Sequence, residues 1–432
     1  MFQPTGFADL ARKRVGIYGY GVEGHATSRR LASITTDLVL VDDDPSEPGV
    51  LRSSDGGLDA LATCDVVLKS PGIPRRRADV IALEESGVPV TSALNLWLNE
   101  IDRSRVVCVT GTKGKSTTTS LLAFFLGCVD QEAHELGNIG RPPYDPALDV
   151  SSGWLVLEVS SFQSVDLTVA PPLVLVTSLG SDHLDWHGTL AQYHDDKLSI
   201  TRAAGEHVTL TSQSPELELA RPLMGGRVEV AARDTSGLTQ RLGLLGEHNE
   251  FNVGLALAAC ALCVDRALDE VRVSVAARAD EFVPLRGRLT LVATHVLDGR
   301  IVRFVDDGLA TAPLPAMAAL HVFSEGPLAL IAGGFDRGVD YGDLAEELRR
   351  RPSPTTVVVM GPAGERLAEL CRDLDIIHAR DMDVAVRLAT DAVSQGGVVL
   401  LSPAAPSFDA YRNWTERSED FARVVKDVIA EY

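Results

Sequence analysis

Short apolar runs alternate with longer stretches of mixed polarity along this sequence of 432 residues. Runs rich in β-branched residues and bounded by glycine or acidic residues predict strands. They lie at 14–18, 37–41, 66–69, 88–91, 106–109, 154–158, 173–178, 289–296 and 301–305. Stretches of helical character follow several of them, at 79–87, 117–126, 192–200 and 255–263. This alternation predicts an α/β fold with parallel sheets, in two or three domains for a chain of this length.

The charge balance is acidic, with a formal net charge of −20 at pH 7. A protein that binds nucleic acid needs a broad basic surface, so the composition argues against nucleic-acid binding and favours solubility. The six cysteines lie mostly in apolar runs, which is typical of reduced core residues in a cytoplasmic protein. The sequence shows no N-terminal signal pattern and no apolar run of about 18 residues, so we expect neither export nor a membrane span.

A glycine-rich segment after the strand at 106–109 has the pattern of a phosphate-binding loop. Its spacing is Gly111-x-x-Gly114-Lys115-Ser116. In such loops backbone N–H groups and a helix N-terminus face the phosphates, lysine reaches the outer phosphates and serine binds Mg²⁺. Val109 stands where the general motif has glycine, and a Gly/Ser/Thr-rich strand-to-helix turn is the alternative. The pattern favours a nucleoside triphosphate site formed by Gly111, Thr112, Lys113, Gly114, Lys115, Ser116 and Thr117.

A second glycine pattern, Gly19-x-Gly21-x-x-Gly24, follows the first predicted strand, and Asp42 ends the second. This is the arrangement of a dinucleotide-binding unit, in which the acid contacts a ribose. Alone it indicates only a nucleotide-like ligand at the C-terminal ends of the strands. Because the chain has a separate phosphate loop, a nucleotide-linked substrate is an alternative to a nicotinamide cofactor.

Polar residues at strand ends and on later helices add candidate ligands. Glu158 ends a buried-type strand and is expected to bind Mg²⁺ with the serine of the phosphate loop, a surface cap being the alternative. His183 lies between acids after another strand, and Lys197 follows two acids. Their alternatives are a helix cap and a solvated side chain. Asn249 and Asn252 are one helical turn apart and could contact one ligand, unless Asn249 caps the helix.

Several segments occur in an order that resembles the Mur ligases, and within them the branch that adds glutamate to UDP-N-acetylmuramoyl-L-alanine. They are residues 111–118, 137–140, 158–163, 182–185, Lys197, and residues 246–252, 307–311, 333–334 and 401–409, which span nearly the whole chain. The resemblance implies three α/β domains. They would be an N-terminal Rossmann-like domain for the UDP substrate (1–105), a central P-loop-type ATPase domain (106–284) and a C-terminal Rossmann-like domain for the amino acid (285–432).

The resemblance also implies roles for individual residues. Catalysis would involve Lys115, His183 and Lys197, and two Mg²⁺ ions would be held by Ser116, Glu158, His183 and a carbamylated Lys197. Further contacts to ATP would come from Asn249, Asn252, Arg286 and Asp307. The substrates would contact Gly19, Tyr20, Gly21, Asp42, Ser70, Asn138, Ser160, Thr311, Arg337, Ser407 and Trp414. Capture of CO₂ needs an amine, which would explain a lysine at 197 in an arginine-rich chain.

The implied reaction has two steps. The L-alanyl carboxylate attacks the γ-phosphate of ATP and gives an acyl phosphate with ADP, and the amine of glutamate then displaces phosphate from the acyl carbon. Positioning and charge neutralisation by lysine, metal ions and backbone N–H groups would supply most of the catalysis.

The amino-acid pocket departs from the pattern of the glutamate-adding branch at two positions. Leu309 stands where that branch usually has a lysine, and Arg337 lies near the place of another lysine after Gly334. Exchange of lysine for arginine is not conservative, although a bidentate arginine suits a dicarboxylic amino acid. The residues resemble the variant that adds L-glutamate, after which a separate epimerase inverts the residue. A D-glutamate enzyme with ordinary sequence drift is the alternative.

Three other functions remain as alternatives. A sister ligase could add another amino acid, or extend folate with glutamate. A nicotinamide-dependent oxidoreductase would use the pattern at Gly19 but leave Glu158 and His183 unexplained, and a non-catalytic nucleotide switch would have no use for Lys197. For the ligase we expect a cytoplasmic monomer that acts on small molecules.

Overall fold

The computed structural model describes residues 2–297 and 299–431, which form two compact units. One unit runs to Thr235 and includes Glu250–Arg278, and the other consists of Ser236–Asn249 with the residues from Ala279 onward. Within the described residues the strands form three sheets, the first two in the first unit and the third in the second unit. The predicted α/β class is confirmed.

The first sheet is parallel throughout and comes from the start of the chain. Its strands are β1 Val15–Tyr18, β2 Leu38–Asp42, β3 Leu51–Arg52, β4 Val66–Lys69 and β5 Val90–Thr91, in the spatial order β3-β2-β1-β4-β5. The associated helices are α1 Val22–Leu31, α2 Leu58–Leu61, α3 Ala78–Glu85 and α4 Ala93–Glu100, with short helical turns at Phe7–Leu10 and Ser53–Gly57. Strand order reverses around β1, so the turn after β1 lies where ligands bind in open sheets of this type.

The second sheet is also parallel. Its strands are β6 Val106–Thr110, β7 Ala133–Gly137, β8 Trp154–Glu158, β9 Leu173–Val176, β10 Val208–Ser212 and β11 Arg227–Ala231, in the order β11-β10-β9-β6-β8-β7. Its helices are α5 Lys115–Cys128, α6 Ser161–Ser164, α7 Leu184–His187, α8 Leu190–Leu198 and α9 Pro215–Ala220, with 3-10 turns at Ser199–Arg202 and Arg221–Leu223. β6 and β9 are buried at every position, as expected for parallel strands that are covered on both faces.

A helical segment follows the second sheet along the chain. It consists of α10 Leu238–Arg241, α11 Glu247–Val264 and α12 Leu268–Arg278, with a 3-10 turn at Ala279–Glu281. In the described residues no single helix has the length and apolar character needed to cross a membrane, and one bent pair, Glu247–Val264 with Leu268–Glu281, passes by length and composition only.

The third sheet is mixed. Its strands are β12 Thr290–Leu297, β13 Arg300–Asp306, β14 Leu328–Gly333, β15 Thr355–Met360, β16 Asp375–His378 and β17 Gly397–Leu401, in the order β12-β13-β17-β14-β15-β16. Its helices are α13 Pro313–Val322, α14 Gly342–Arg350, α15 Gly361–Leu370, α16 Met382–Ala392 and α17 Trp414–Glu431. β12 pairs antiparallel with β13 and the other pairs are parallel. The C-terminal ends of β13, β17 and β14 therefore adjoin one another.

The apolar cores follow the sheets. One cluster joins Ile17 of the first sheet to Cys108 and Val174 of the second through Trp97 on α4, so the first two sheets share a core. The third sheet has a core on each face, because neighbouring residues of a strand point to opposite faces. The domain limits at 105/106 and 284/285 stay predictions.

Candidate active site

The glycine-rich segment lies between β6 and α5, at the middle of the second sheet. The backbone turns with positive φ at Gly111 (140°) and Gly114 (85°), and α5 begins at Lys115. A Cβ atom at Gly111 would lie 2.0 Å from the hydroxyl oxygen of Thr177, so this turn requires glycine. Strand, turn and helix follow one another as in a phosphate loop, with the helix N-terminus directed at the turn.

The chain after β9 braces this loop. The N–H of Thr112 donates to the carbonyl of Ser178 at 2.8 Å, and the hydroxyl of Thr177 donates to the carbonyl of Lys113 at 2.5 Å. The hydroxyl of Tyr193 donates to the Thr112 hydroxyl oxygen at 3.0 Å. The loop is thereby ordered in advance, which reduces the entropy lost when a ligand binds. Ser116 and Thr117 continue into α5, buried and half-buried respectively.

Lys197, on α8, is buried beside the loop. Its Nζ donates to the carbonyl of Gly111 at 2.9 Å, and the residue is 2% exposed. Burial, with the nearby cation of Lys115, holds the pKa of Lys197 well below its usual value. The Nζ of Lys115 also donates to the carbonyls of Gly111 and Thr112. The interpretation of Lys197 as a solvated residue is wrong, and its buried environment disfavours the charged ammonium form.

Glu158, at the end of β8, is also buried, at 3% exposure. Its Oε1 accepts a hydrogen bond from Nδ2 of Asn138 at 2.9 Å, while Oε2 is buried without a hydrogen-bond partner among the described residues. A surface cap is therefore excluded. A buried carboxylate oxygen without a donor is unfavourable by itself, so this atom is suited to a cation. Glu158 pairs with Val109 of β6, the strand that enters the phosphate loop.

His183 lies at the N-cap position of α7 with φ of 48°, and its side chain is about half exposed. Among the described residues its side chain makes no capping hydrogen bond, so His183 takes the N-cap position, as the helix-cap interpretation has it, without capping the helix through its ring. Its ring lies 4.9 Å from that of Phe162, and the neighbouring Asp182 pairs with Lys113 at 3.2 Å. His183 thus stands beside a segment that contacts the phosphate loop.

Four further side chains form a hydrogen-bonded chain under α8, which the sequence analysis did not find. Ser161 Oγ contacts His187 Nε2 at 2.9 Å, and His187 Nδ1 contacts Asp196 Oδ2 at 2.8 Å. Arg76 donates to both oxygens of Asp196, at 2.8 and 2.6 Å. Burial lowers the pKa of His187, and the hydrogen bond with Asp196 opposes this shift. The Asp196 carboxylate can only accept, so Nδ1 of His187 donates to it. Asp196 directly precedes Lys197 on α8. These hydrogen bonds therefore hold in place the helix that carries the buried lysine.

The glycine turn after β1 forms a second polar centre in the same unit. The N–H of Tyr20 donates to Oδ2 of Asp42 at 2.6 Å, and the hydroxyl of Ser70 donates to the carbonyl of Gly19 at 2.5 Å. Gly21 is the N-cap of α1. The C-terminal ends of β1, β2 and β4 therefore meet at this turn. Ser160 caps α6 in a reciprocal pair with Gln163 and is mostly buried.

The predicted asparagine pair lies on α11, one turn apart. Asn249 is in the first turn and donates from Nδ2 to the carbonyl of Leu245 at 2.7 Å, so it does not act as the N-cap. The hydroxyl of Thr118 donates to Oδ1 of Asn252 at 3.3 Å, and a Cβ at Gly114 would lie 2.5 Å from that oxygen. Asn252 therefore packs directly on the phosphate loop.

The remaining predicted residues lie in the second unit, around the ends of β13, β14 and β17. Arg286 is exposed and contacts Glu419 at 3.3 Å, and Arg337 is exposed with its guanidinium 5.7 Å from the ring of Phe408. Ser407 is buried, and its Oγ has no partner among the described residues. Thr311 and Trp414 are half-buried, and Trp414 begins α17.

Asp307 follows β13 and accepts a hydrogen bond from the Ser402 hydroxyl at 2.8 Å. Burial, only partly offset by that hydroxyl, raises the pKa of Asp307 to about 7. The folded state therefore favours the protonated acid more than the unfolded state does.

We expect Asp307→Asn to remove a pH-dependent part of the stability. A raised pKa contributes stability that is complete below the unfolded pKa, near 4, and is lost as pH rises through about 7. The unfolding free energy of wild type should fall by roughly 4 kcal/mol relative to that of the variant over this interval, because only wild type has the acid that must ionise while buried. Denaturant unfolding of both proteins between pH 4.5 and 8 measures it, and parallel curves would contradict the shifted pKa.

The side chains around the phosphate loop include ligands that suit Mg²⁺. Mg²⁺ usually binds one or two protein carboxylates together with phosphates and water. Glu158 offers a buried oxygen that has no hydrogen-bond partner among the described residues, and Ser116 is buried in the first turn of the helix after the loop. No group of three or more His, Cys, Asp or Glu side chains suited to a metal occurs in the described part of the chain. A metal here would therefore need hydroxyl, phosphate or carbamate ligands as well.

Comparison with known proteins decides between the alternatives. A sequence profile of the Mur ligase middle domain matches residues 109–212. UDP-N-acetylmuramoyl-L-alanine--L-glutamate ligases from Salinispora tropica and a Micromonospora species are 38% and 36% identical, over 97% of this chain and 99% and 98% of theirs. The chain belongs to the Mur ligase family. A UDP-N-acetylmuramoylalanine--D-glutamate ligase from Symbiobacterium thermophilum is 31% identical to this Mur ligase. The match covers 96% of this chain and 98% of the Symbiobacterium protein.

Solved structures agree on the fold. The crystal structure of MurF ligase from Thermotoga maritima in complex with ADP matches 96% of this chain and 95% of its own, with a TM-score of 0.56 and 17% identity. The three sheets are thus the three-domain fold of a Mur ligase, and the chain is a ligase. The family resemblance found in the sequence is confirmed, and the oxidoreductase and the non-catalytic switch are excluded.

Proposed function

We propose that this Mur ligase joins L-glutamate to UDP-N-acetylmuramoyl-L-alanine, with conversion of ATP to ADP and phosphate. The observation that carries the proposal is the buried Lys197 amine beside the phosphate loop. A simple nucleotide-binding domain gains nothing from a buried lysine of lowered pKa, whereas a phosphoryl-transfer site can use it. The reaction would serve the assembly of peptidoglycan precursors in the cytoplasm.

The first step is transfer of the γ-phosphoryl group of ATP to the carboxylate of the L-alanyl residue. Lys115 and the backbone N–H groups between Gly111 and Ser116 bind the phosphates and neutralise the charge that develops on them. Thr112, Lys113, Gly114 and Thr117 complete the loop. The amine of glutamate then attacks the acyl carbon, a proton leaves the nitrogen and phosphate departs.

Two magnesium ions and a carbamate are part of the proposal. Ser116 and Glu158 would hold one ion, and His183 with carbamylated Lys197 would hold the other. Bound there, the ions would neutralise negative charge on the triphosphate. Lys197 contributes a buried amine that can take up CO₂, and the carbonyl of Gly111 orients that amine.

The domain limits proposed for these roles are 1–105, 106–284 and 285–432. In the first domain the uridine diphosphate end would contact the turn after β1 and its neighbours. Residues proposed for this substrate are Gly19, Tyr20, Gly21, Asp42, Ser70, Asn138 and Ser160. Those proposed for further contacts with ATP are Asn249, Asn252, Arg286 and Asp307.

Glutamate would bind at the C-terminal ends of β13, β14 and β17, through Thr311, Arg337, Ser407 and Trp414. Arg337 is exposed, and its guanidinium lies over Phe408. In this position it can donate two parallel hydrogen bonds to a carboxylate. Leu309 supplies no cation at the position where the glutamate-adding branch usually has a lysine. The relatives named for L-glutamate also share more identity with the chain than the Symbiobacterium relative does. D-glutamate is the second candidate.

The test is release of phosphate from ATP with Mg²⁺, UDP-N-acetylmuramoyl-L-alanine and either glutamate enantiomer. We expect release with L-glutamate, and formation of a hydroxamate when hydroxylamine replaces the amino acid. Release with D-glutamate alone would reverse the choice of enantiomer. Absence of release with both would end the proposed function.

We further propose that the enzyme acts as a monomer and that its product is the substrate of an epimerase that inverts the glutamyl residue. Sedimentation at micromolar concentration tests the first point. For the second, inversion should require a separate protein added to the purified product.

A further inference from the structure

Arg417, on α17, is a buried arginine that reaches three loops of the third sheet. It is 3% exposed. Its Nη2 donates to the carbonyls of Gly308 and Ala405 at 3.1 and 3.0 Å, and its Nη1 donates to the carbonyl of Gly333 at 3.4 Å. In the described residues all of its hydrogen bonds therefore go to main-chain carbonyls. A buried cation that donates hydrogen bonds to several backbone oxygens fixes the positions of the segments that carry them.

The three carbonyls lie at the C-terminal end of β14 and in the loops that leave β13 and β17. These strands are neighbours in the sheet, so their loops emerge side by side. The first loop carries Asp307 and Thr311, the second leads to Ser407 and the third leads to Arg337. In the part of the chain that the structure describes, Arg417 donates to none of these four side chains and instead to one backbone carbonyl at or after the end of each strand.

Close packing around the guanidinium shows that these backbones have little freedom. A Cβ at Gly334 would lie 2.2 Å from the carbonyl oxygen of Pro406 and 3.2 Å from Nη1 of Arg417. The next residue of α17, Ser418, donates from Oγ to Oδ1 of Asp306 at 3.0 Å, and a Cβ at Gly308 would lie 2.2 Å from that Oγ. One turn of α17 thus fixes the loops after β13 and β14 together.

We propose that Arg417 is a positioning residue for the amino-acid substrate. Its guanidinium sets the spacing of the loops that carry Thr311, Arg337 and Ser407, so that a dicarboxylic amino acid meets all three at once. The inference rests on the proposed function. Lysine cannot replace it, because a single ammonium on a flexible stem lacks the planar fork that reaches separate carbonyls.

The experiment compares Arg417→Ala and Arg417→Lys with a control, Arg423→Ala. Arg423 lies on the same helix with a side chain 61% exposed and pairs with Asp420. Thermal unfolding first establishes that each variant is folded. We expect the KM for glutamate to rise by ~10- to 100-fold in both Arg417 variants, since small displacements of binding groups have effects of this size. The KM for UDP-N-acetylmuramoyl-L-alanine should stay within about threefold of wild type, because its proposed contacts lie in other sheets.

Chemical rescue separates positioning from a general structural role. Millimolar guanidinium should lower the KM for glutamate of Arg417→Ala towards the wild-type value, and methylammonium should not. If Arg417→Ala fails to fold, Arg417→Lys decides. An unchanged KM for glutamate, or equal increases for both substrates, would overturn the inference. Wild-type protein that uses neither glutamate enantiomer would instead refute the proposed function, so the two failures are distinguishable.

Discussion

Substitution of Lys197 by alanine should reduce the rate of ligation by roughly 1,000-fold, as expected when a main source of charge stabilisation is removed from a phosphoryl-transfer site. The amine is buried beside the carbonyl of Gly111, and burial with the Lys115 cation lowers the pKa of Lys197. A neutral amine can react with CO₂ and become a carboxylate, whereas alanine supplies neither group. Steady-state phosphate release measures the loss.

Two comparisons test the carbamate specifically. Lys197→Arg retains a cation but cannot capture CO₂, so it should be as inactive as Lys197→Ala. A short carboxylic acid such as acetate should partly restore Lys197→Ala, because it can occupy the space of the missing carboxylate, and should not restore Lys197→Arg. Lys426→Ala, an exposed site on α17, is the matched control and should keep full activity. An active Lys197→Ala variant would remove the proposed role.

The elements around the phosphate loop were predictable because their sequence signals are local. The strands predicted at 66–69 and 154–158 coincide with β4 and β8, and the strand at 106–109 extends by one residue to Thr110. Such strands consist largely of apolar residues, nearly all of them buried, so hardly any other structure suits them. Their ends carry Glu158 and the glycine turn, which is why those parts of the site were found from the sequence.

The hydrogen-bonded set of Ser161, His187, Asp196 and Arg76 was not predictable, since its members come from separate parts of the sequence. Asp196 and Arg76 are 120 residues apart, and Asp196 and His187 are 9 apart. Each residue alone has the ordinary appearance of a surface charge or a helix residue. The signal that was present, an acid directly before a scarce lysine, was interpreted only for Lys197. Arg417 was missed for the same reason, because its partners are carbonyls that no sequence pattern marks.

The alternatives left open at Glu158, His183, Lys197 and Asn249 were decided by burial and hydrogen-bond partners. Glu158 and Lys197 are both at most 3% exposed, which excludes a surface cap and a solvated side chain. Sequence pattern alone cannot provide that distinction, since a polar residue after an apolar strand has the same pattern whether the strand end is covered or open to solvent. Tertiary packing of the neighbouring elements decides it.

The largest loss of stability is expected for Lys69→Met. Lys69 ends β4 and donates to Oδ2 of Asp166 at 2.5 Å, with the two side chains 0% and 1% exposed. The substitution leaves the Asp166 carboxylate buried, with Arg75 3.7 Å away from its other oxygen. Removal of one partner from a buried ion pair costs about 3–5 kcal/mol, because the remaining carboxylate loses its hydrogen-bonded cation and gains no solvent. Denaturant unfolding at neutral pH should show this loss.

The double variant Lys69→Met/Asp166→Leu should recover most of the stability, because replacement of both charges by apolar side chains removes the buried carboxylate that has lost its lysine. Lys13→Met is the matched control. Its ion pair with Asp65 has side chains 35% and 41% exposed, and exposed pairs contribute less than about 1 kcal/mol. If Lys69→Met were no less stable than Lys13→Met, the buried ion pair would not contribute to the stability of the core that the first two sheets share. If the double variant were as unstable as Lys69→Met, lost packing would be the cause and not the buried charge.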